Sequence, residues 1–188
     1  MVPVGGDVPM LVLVTGPPGT GKSTLAEAAA GPLGASVLSW DWAMAALRPI
    51  APIQAAIGRL DHVGHRRVGW AILWSLATEQ LRRGRSVVLD GVARQIEADE
   101  TRAVAASAGA RCLVVVTSCA DPALHRQRVE GRDRDIPGWY EVGWDDVTAF
   151  LGRWEPPAGA DLYLDTAAPF DACAASLTGI LEAAPPAQ

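Results

Sequence analysis

Five short apolar-rich runs punctuate the chain, four of them nearly unbroken: MLVLVT at 10–15, SVLS at 36–39, SVVLD at 86–90, CLVVVTS at 112–118 and DLYLD at 161–165. Runs of this length, bounded by Gly, Pro and polar residues, predict strands, and continuous apolar character predicts parallel strands covered on both faces. Helical spacing predicts helices between them, over 22–31, 41–47, 65–83, 94–108, 121–131, 143–153 and 170–182. Such alternation predicts an α/β three-layer sandwich with a five-stranded parallel sheet. In the 65–83 helix, Trp70, Leu73, Trp74, Ala77 and Leu81 form one stripe, so these tryptophans are expected in the core rather than in a site. The Pro- and Gly-punctuated stretch LRPIAPIQAAIGRLDHVG, 47–64, predicts a long loop, and long loops in compact domains are usually binding segments. Residues 1–8 and 184–188 are expected to be loose ends. The 188 residues have no internal repeat and suit one domain, 1–188.

Composition narrows the class. Apolar residues make up 49% and charged residues 20%, and no apolar run approaches the roughly 18 residues of a membrane helix. The first 21 residues lack Lys and Arg, so a signal peptide would lack its basic start; a cytoplasmic protein is expected. Cys112, Cys119 and Cys173 have no metal-binding spacing and read as reduced thiols. A net charge of −5 argues against a nonspecific grip on nucleic acid, with a local basic groove left open. Of the 16 basic residues 15 are Arg, and the single lysine is Lys22.

That lysine lies in GPPGTGKST, Gly16 to Thr24, which satisfies G-x-x-x-x-G-K-[ST] between an apolar strand and a helix. Gly19, Thr20 and Gly21 belong to the turn that brings successive backbone N–H groups onto phosphate oxygens, helped by the helix N-terminus. Lys22 is placed for the β- and γ-phosphates, Ser23 for Mg²⁺ and Thr24 for the α-phosphate. A purine nucleoside triphosphate with Mg²⁺ is the expected pair of cofactors.

The chain contains no Asn, so the N-K-x-D motif of GTPases is absent, and SVVLD continues as Gly91-Val92 with no Glu to activate water. What remains is a small kinase. From Leu124 the sequence LHRQRVEGRDRDIPG, with R-x-x-G-R at Arg128 to Arg132, resembles the lid of the nucleoside-monophosphate-kinase-like superfamily of P-loop proteins. Within it the chain is similar to compact kinases of the chloramphenicol-phosphotransferase and polynucleotide-kinase-like type. The resemblance implies ATP as the nucleotide and an Arg-rich lid over about 126–143, in which Arg128 stacks on adenine and Arg132 contacts phosphate, with Arg134 and, less directly, Arg126 as further candidates. It implies that LYLDTAAP, 162–169, is the adenine-side loop. It also implies a D-x-x-x-x-R pattern after the third strand; here Asp90 is followed by Arg94, one place early. Asp90 is expected to hold Mg²⁺ or bond Ser23, and Arg94 to clamp an acceptor anion or lie on the surface.

The stretch SWDWA, 39–43, follows the second strand, where this family places a carboxylate facing the acceptor. Asp41 is therefore the candidate general base, as well as a suitable helix N-cap. Trp40 and Trp42 cannot both point into one core, so at least one is expected to line the cleft and favour a flat or apolar acceptor. The acceptor segment is expected over about 40–66, with Arg48, Arg59, His62 and His65 as minor candidates. Trp139, Tyr140 and Trp144 either cover the acceptor or anchor the lid. The expected function is transfer of the ATP γ-phosphate to a hydroxyl of a small organic molecule, such as an antibiotic or natural product. A nucleoside, nucleotide or polynucleotide 5′-hydroxyl kinase and a non-catalytic ATP-binding regulatory module stay open, as do a monomer and a homodimer.

Overall fold

The computed structural model describes residues 8–183; the expected loose ends lie outside them, apart from Val8. The five expected strands form in order: β1 (Met10–Thr15), β2 (Ser36–Ser39), β3 (Val87–Asp90), β4 (Arg111–Ser118) and β5 (Leu162–Asp165). They make one all-parallel sheet in the order β2-β3-β1-β4-β5. β1 is central, and its residues 10–14 are 0% exposed, which is why its sequence is apolar without alternation.

The helices among the described residues are α1 (Lys22–Leu33), α2 (Trp40–Ala45), α3 (Ala51–Ile57), α4 (His62–Arg82), α5 (Gln95–Ser107), α6 (Pro122–Glu130), α7 (Trp144–Leu151) and α8 (Phe170–Ala183). α1 and α8 cover the sheet face carrying Met10, Val12 and Val14, through Leu25, Ala29, Leu177 and Leu181. α4 and α5 cover the face carrying Leu11 and Leu13, through Trp70, Leu73, Ala77, Ala98 and Ala105. Trp70 is buried and stacks on Trp74, with ring centroids 5.8 Å apart, so both belong to the core as their spacing predicts. None of these helices is long and apolar enough to cross a membrane.

The long loop expected over 47–64 is instead largely helical. α3 starts with Pro in its first turn, where a missing N–H costs nothing. α4 starts at His62 because Asp61 caps it, its Oδ1 accepting from Gly64 N at 2.7 Å. Gly64 thus lies in the first turn of a helix rather than breaking one. Asp41 is not the cap of α2; Ser39 holds that position and Asp41 falls in the first turn.

The register puts the functional candidates at one rim. Ser39 and Val14 both pair with Asp90, so the C-terminal ends of β2, β3 and β1 lie side by side. The turn after β1, the start of α2 and the carboxylate ending β3 converge there, at the sheet edge where α/β folds bind ligands.

Candidate active site

The turn from Gly16 to Gly21 leads directly into α1. Gly19 has φ +84, and a Cβ there would run into the Val129 methyl and come within 3.1 Å of His125 Cδ2. Only glycine suits that position, on both backbone and steric grounds. Lys22 Nζ donates to Pro17 O at 3.1 Å, which curls its side chain back over the turn. Thr20 is buried, and its hydroxyl bonds Pro17 O at 2.8 Å and Thr117 Oγ1 at 2.7 Å. Its side chain faces the fold and tethers the loop to β4, so any ligand contact by Thr20 falls to its backbone.

Ser23 Oγ donates to Asp90 Oδ2 at 2.7 Å. Asp90 is only 6% exposed, and burial pushes its carboxyl pKa up, with Lys22 and the Ser23 hydrogen bond pulling it down. Burial likewise pushes the Lys22 ammonium down, against the attraction of Asp90 and Asp41. Among the described residues, His, Cys, Asp and Glu form no cluster of three that could hold a metal. One hydroxyl and one carboxylate suit Mg²⁺, which retains water and completes its shell with substrate phosphates.

These residues line one cleft of about 610 Å³. One end is walled by Leu25, Arg128, Ala168, Phe170 and Cys173. Arg128 is fixed there edge-on: Nη1 donates to Thr166 Oγ1 and Nη2 to Thr166 O, both at 2.9 Å. The other end is walled by Trp40, Asp41, Arg66, Trp139, Tyr140 and Val142. Trp139 and Tyr140 stack at 5.1 Å, Trp40 meets Trp139 edge-on at 6.1 Å, and the Arg48 guanidinium lies 5.6 Å from the Trp139 ring centre.

The carboxylate of Asp41 is hydrogen-bonded to Arg134 Nη1. Arg134 Nε in turn donates to Glu141 at 2.9 and 3.1 Å, and Arg132 Nε lies 2.9 Å from Glu141 Oε2. The 131–143 segment therefore closes over Asp41 through an alternating network of two Arg and two carboxylates. Lys22, Ser23, Thr24, Asp41, Asp90, Arg128, Arg132 and Arg134, predicted from distant parts of the chain, all meet in this cleft.

Other candidates are placed elsewhere. Trp42 is 52% exposed and outside the cleft; residues two apart on a helix do not share a face, and Trp40 takes the inward position. Arg94 does not line the cleft either; it precedes α5, where its N–H donates to Glu97 Oε2 at 2.8 Å. Arg126 pairs with Glu130 on an exposed turn, and Trp144 packs edge-on against His125 rather than over the cleft. Arg59 and His62 are exposed, and His65 stays outside the cleft beside Trp40.

Sequence reasoning missed Arg66. It lines the cleft with Nη2 and Nε 3.0 and 3.2 Å from Oε1 of the buried Glu97, while its carbonyl accepts from Trp40 Nε1 at 3.1 Å. The signal was present: Arg66 lies one turn before Trp70 on the stripe of α4, and Glu97 adjoins Ala98 and Thr101 on the buried face of α5. Opposite charges on two inward faces call for each other.

A phosphate-loop sequence between β1 and α1 of this five-stranded parallel sheet defines the α/β fold of the P-loop kinases. The model of the AAA domain family matches residues 11–157, and the chain belongs to that family. An uncharacterized protein of Mycobacterium tuberculosis is 35% identical over 129 residues, covering 62% of this chain and 25% of that protein. The chain thus spans about a quarter of the length of that relative. Among solved structures, a putative kinase from Chloroflexus aurantiacus superposes with TM-score 0.67 at 23% identity, over 96% of this chain and 100% of the other. A gluconokinase from Sinorhizobium meliloti gives TM-score 0.66 at 22% identity, over 95% of each chain. The APS kinase of Mycobacterium tuberculosis, in complex with AMPPNP and APS, gives 0.64 at 21%, over 94% of this chain and 99% of that one. At these identities the shared property is the fold.

Proposed function

We propose that the protein is an ATP-dependent phosphotransferase that moves the γ-phosphate of ATP to a hydroxyl of a small organic molecule with a flat or apolar body, of the antibiotic or natural-product kind. The observation that carries this reading is one continuous cleft that brings the phosphate loop together with Leu25, Ala168, Phe170 and Cys173, an apolar wall suited to a base, and with Asp41 beside the aromatic Trp40, Trp139 and Tyr140. Lys22 and the N–H groups from Gly19 onward hold the β- and γ-phosphates. Ser23 and Asp90 would hold Mg²⁺, which would neutralise charge on the phosphate oxygens. The acceptor oxygen attacks the γ-phosphorus as the bond to the β-bridging oxygen breaks; its proton goes to Asp41, and ADP leaves. Asp41 accepts only after parting from Arg134, whose guanidinium is then free for the phosphoryl oxygens beside Arg132. Trp40, Trp139 and Tyr140 enclose the acceptor, and Arg66, held by Glu97, orients it.

The test is a mass-spectrometric screen of protein with Mg-ATP and pooled alcohols, nucleosides and oligonucleotides, read for a product heavier by one phosphoryl group. With the acceptor found, Asp41→Asn is expected to lower transfer about 100-fold or more while Mg-ATP binding persists. Transfer confined to nucleosides or oligonucleotide ends would move the reading to a 5′-hydroxyl kinase, for which the stacked Trp139 and Tyr140 would serve a base. ATP binding with no transfer to any pool would favour a regulatory module.

A further inference from the structure

The phosphate loop is held from outside the cleft by a residue that the reaction above does not use. His125 of α6 is 3% exposed, and its Nε2 lies 2.7 Å from the carbonyl oxygen of Pro18. A carbonyl only accepts, so Nε2 carries the proton. The same ring meets Trp144 edge-on, with centroids 5.2 Å apart at 81°. Trp144 is the first residue of α7, directly after the segment bearing Arg132 and Arg134.

The bond matters because of where the next N–H points. The Pro18–Gly19 peptide is trans and planar, so its C=O and N–H lie on opposite sides. Drawing Pro18 O toward α6 turns Gly19 N–H away from α6, and both Pro18 and Gly19 line the cleft. Without an anchor that peptide could flip, since glycine tolerates either sign of φ. A flipped peptide would present a carbonyl, not a donor, to the phosphate oxygens.

We propose that His125 is a positioning residue: its Nε2–H bond to Pro18 O locks the Pro18–Gly19 peptide with the Gly19 N–H presented to the triphosphate. This rests on the reading of Gly16–Thr24 as a triphosphate cradle and on nothing about the acceptor.

The experiment measures displacement of a fluorescent ATP analogue from the full chain by Mg-ATP and by adenosine, in wild type, His125→Phe and His125→Gln. Phe keeps a planar ring against Trp144 but cannot donate; Gln keeps a donor. His125→Phe is expected to weaken Mg-ATP about tenfold while adenosine stays within about twofold, with His125→Gln recovering most of the loss. If His125→Phe does not fold, His125→Met, which also lacks a donor, takes its place. Wild-type Mg-ATP affinity in the donor-less variant overturns the proposal, as does an equal loss for Mg-ATP and adenosine, which marks a general loosening. Failure of the wild type to bind nucleotide would overturn the cradle reading itself, a distinguishable outcome.

Discussion

Gly69→Ala sets two opposed effects against each other in the wall of the cleft. Gly69 is a buried residue inside α4, and replacing an interior helical Gly by Ala should by itself stabilise by up to about 1 kcal/mol. A Cβ at Gly69, however, would meet the Trp40 indole, with Cε2 at 2.7 Å and Cδ1 at 2.8 Å. Ordinary carbon contacts need about 3.5–4 Å, so the indole must retreat by about 1 Å. It has little room: Trp40 Cβ lies 3.0 Å from the position of a Cβ on Gly91, and its Nε1 is bound to Arg66 O at 3.1 Å. Overpacking of this kind costs about 1–3 kcal/mol, and loss of the indole hydrogen bond about 1 more. The clash therefore wins, for a net loss near 2 kcal/mol, or about 4–8 °C in Tm for a chain of this size. Gly179→Ala is the control. Gly179 also lies inside a helix, α8, and a Cβ there meets nothing within 4 Å, so that variant should gain stability. Thermal unfolding followed by circular dichroism reads both. A Gly69→Ala variant as stable as Gly179→Ala would refute the claim that α4 and Trp40 are locked together.

Two further predictions follow from buried titratable groups. Burial raises the Asp90 pKa above its ordinary value of 3.8, so the folded protein holds that proton more tightly than the unfolded chain. The stabilisation from protonated Asp90 is full below that value and is lost as pH rises through the raised one. Relative to Asp90→Asn, the wild type is expected to lose stability from about pH 4 upward in chemical denaturation; a relative gain would contradict the burial. Burial also pushes the Cys112 thiol up to about 12, so in the folded protein it should not react with a disulfide reagent at pH 8 until denaturant is added.

Several site residues were legible as residues but not as partners. Asp41 stands out as a carboxylate after a strand, yet nothing local pairs it with Arg134, 93 positions away. SWDWA leaves the two tryptophans equivalent; packing of one against Gly69 and Gly91 selects Trp40 for the cleft and leaves Trp42 in solvent. Arg66 falls inside the helix expected over 65–83, one turn before Trp70 on the core stripe, but its partner Glu97 lies 31 positions away on another helix, so nothing local marks it as part of the site. His125 was hidden more deeply. Its partner is a backbone carbonyl of the phosphate loop, and carbonyls carry no sequence signature.

The sequence by itself determined the class of this protein, because the features that define it are local. Continuous apolar runs demand strands covered on both faces, and G-x-x-x-x-G-K-[ST] between strand and helix makes an anion-binding turn from its own backbone. Tertiary structure alone decided the strand order, which brings Ser39 and Asp90 into register beside β1, and the closure of 131–143 over Asp41. Those outcomes depend on which surfaces bury one another and which charges meet across the fold. Such pairings are non-local, and any one segment is compatible with many of them until the whole core has formed.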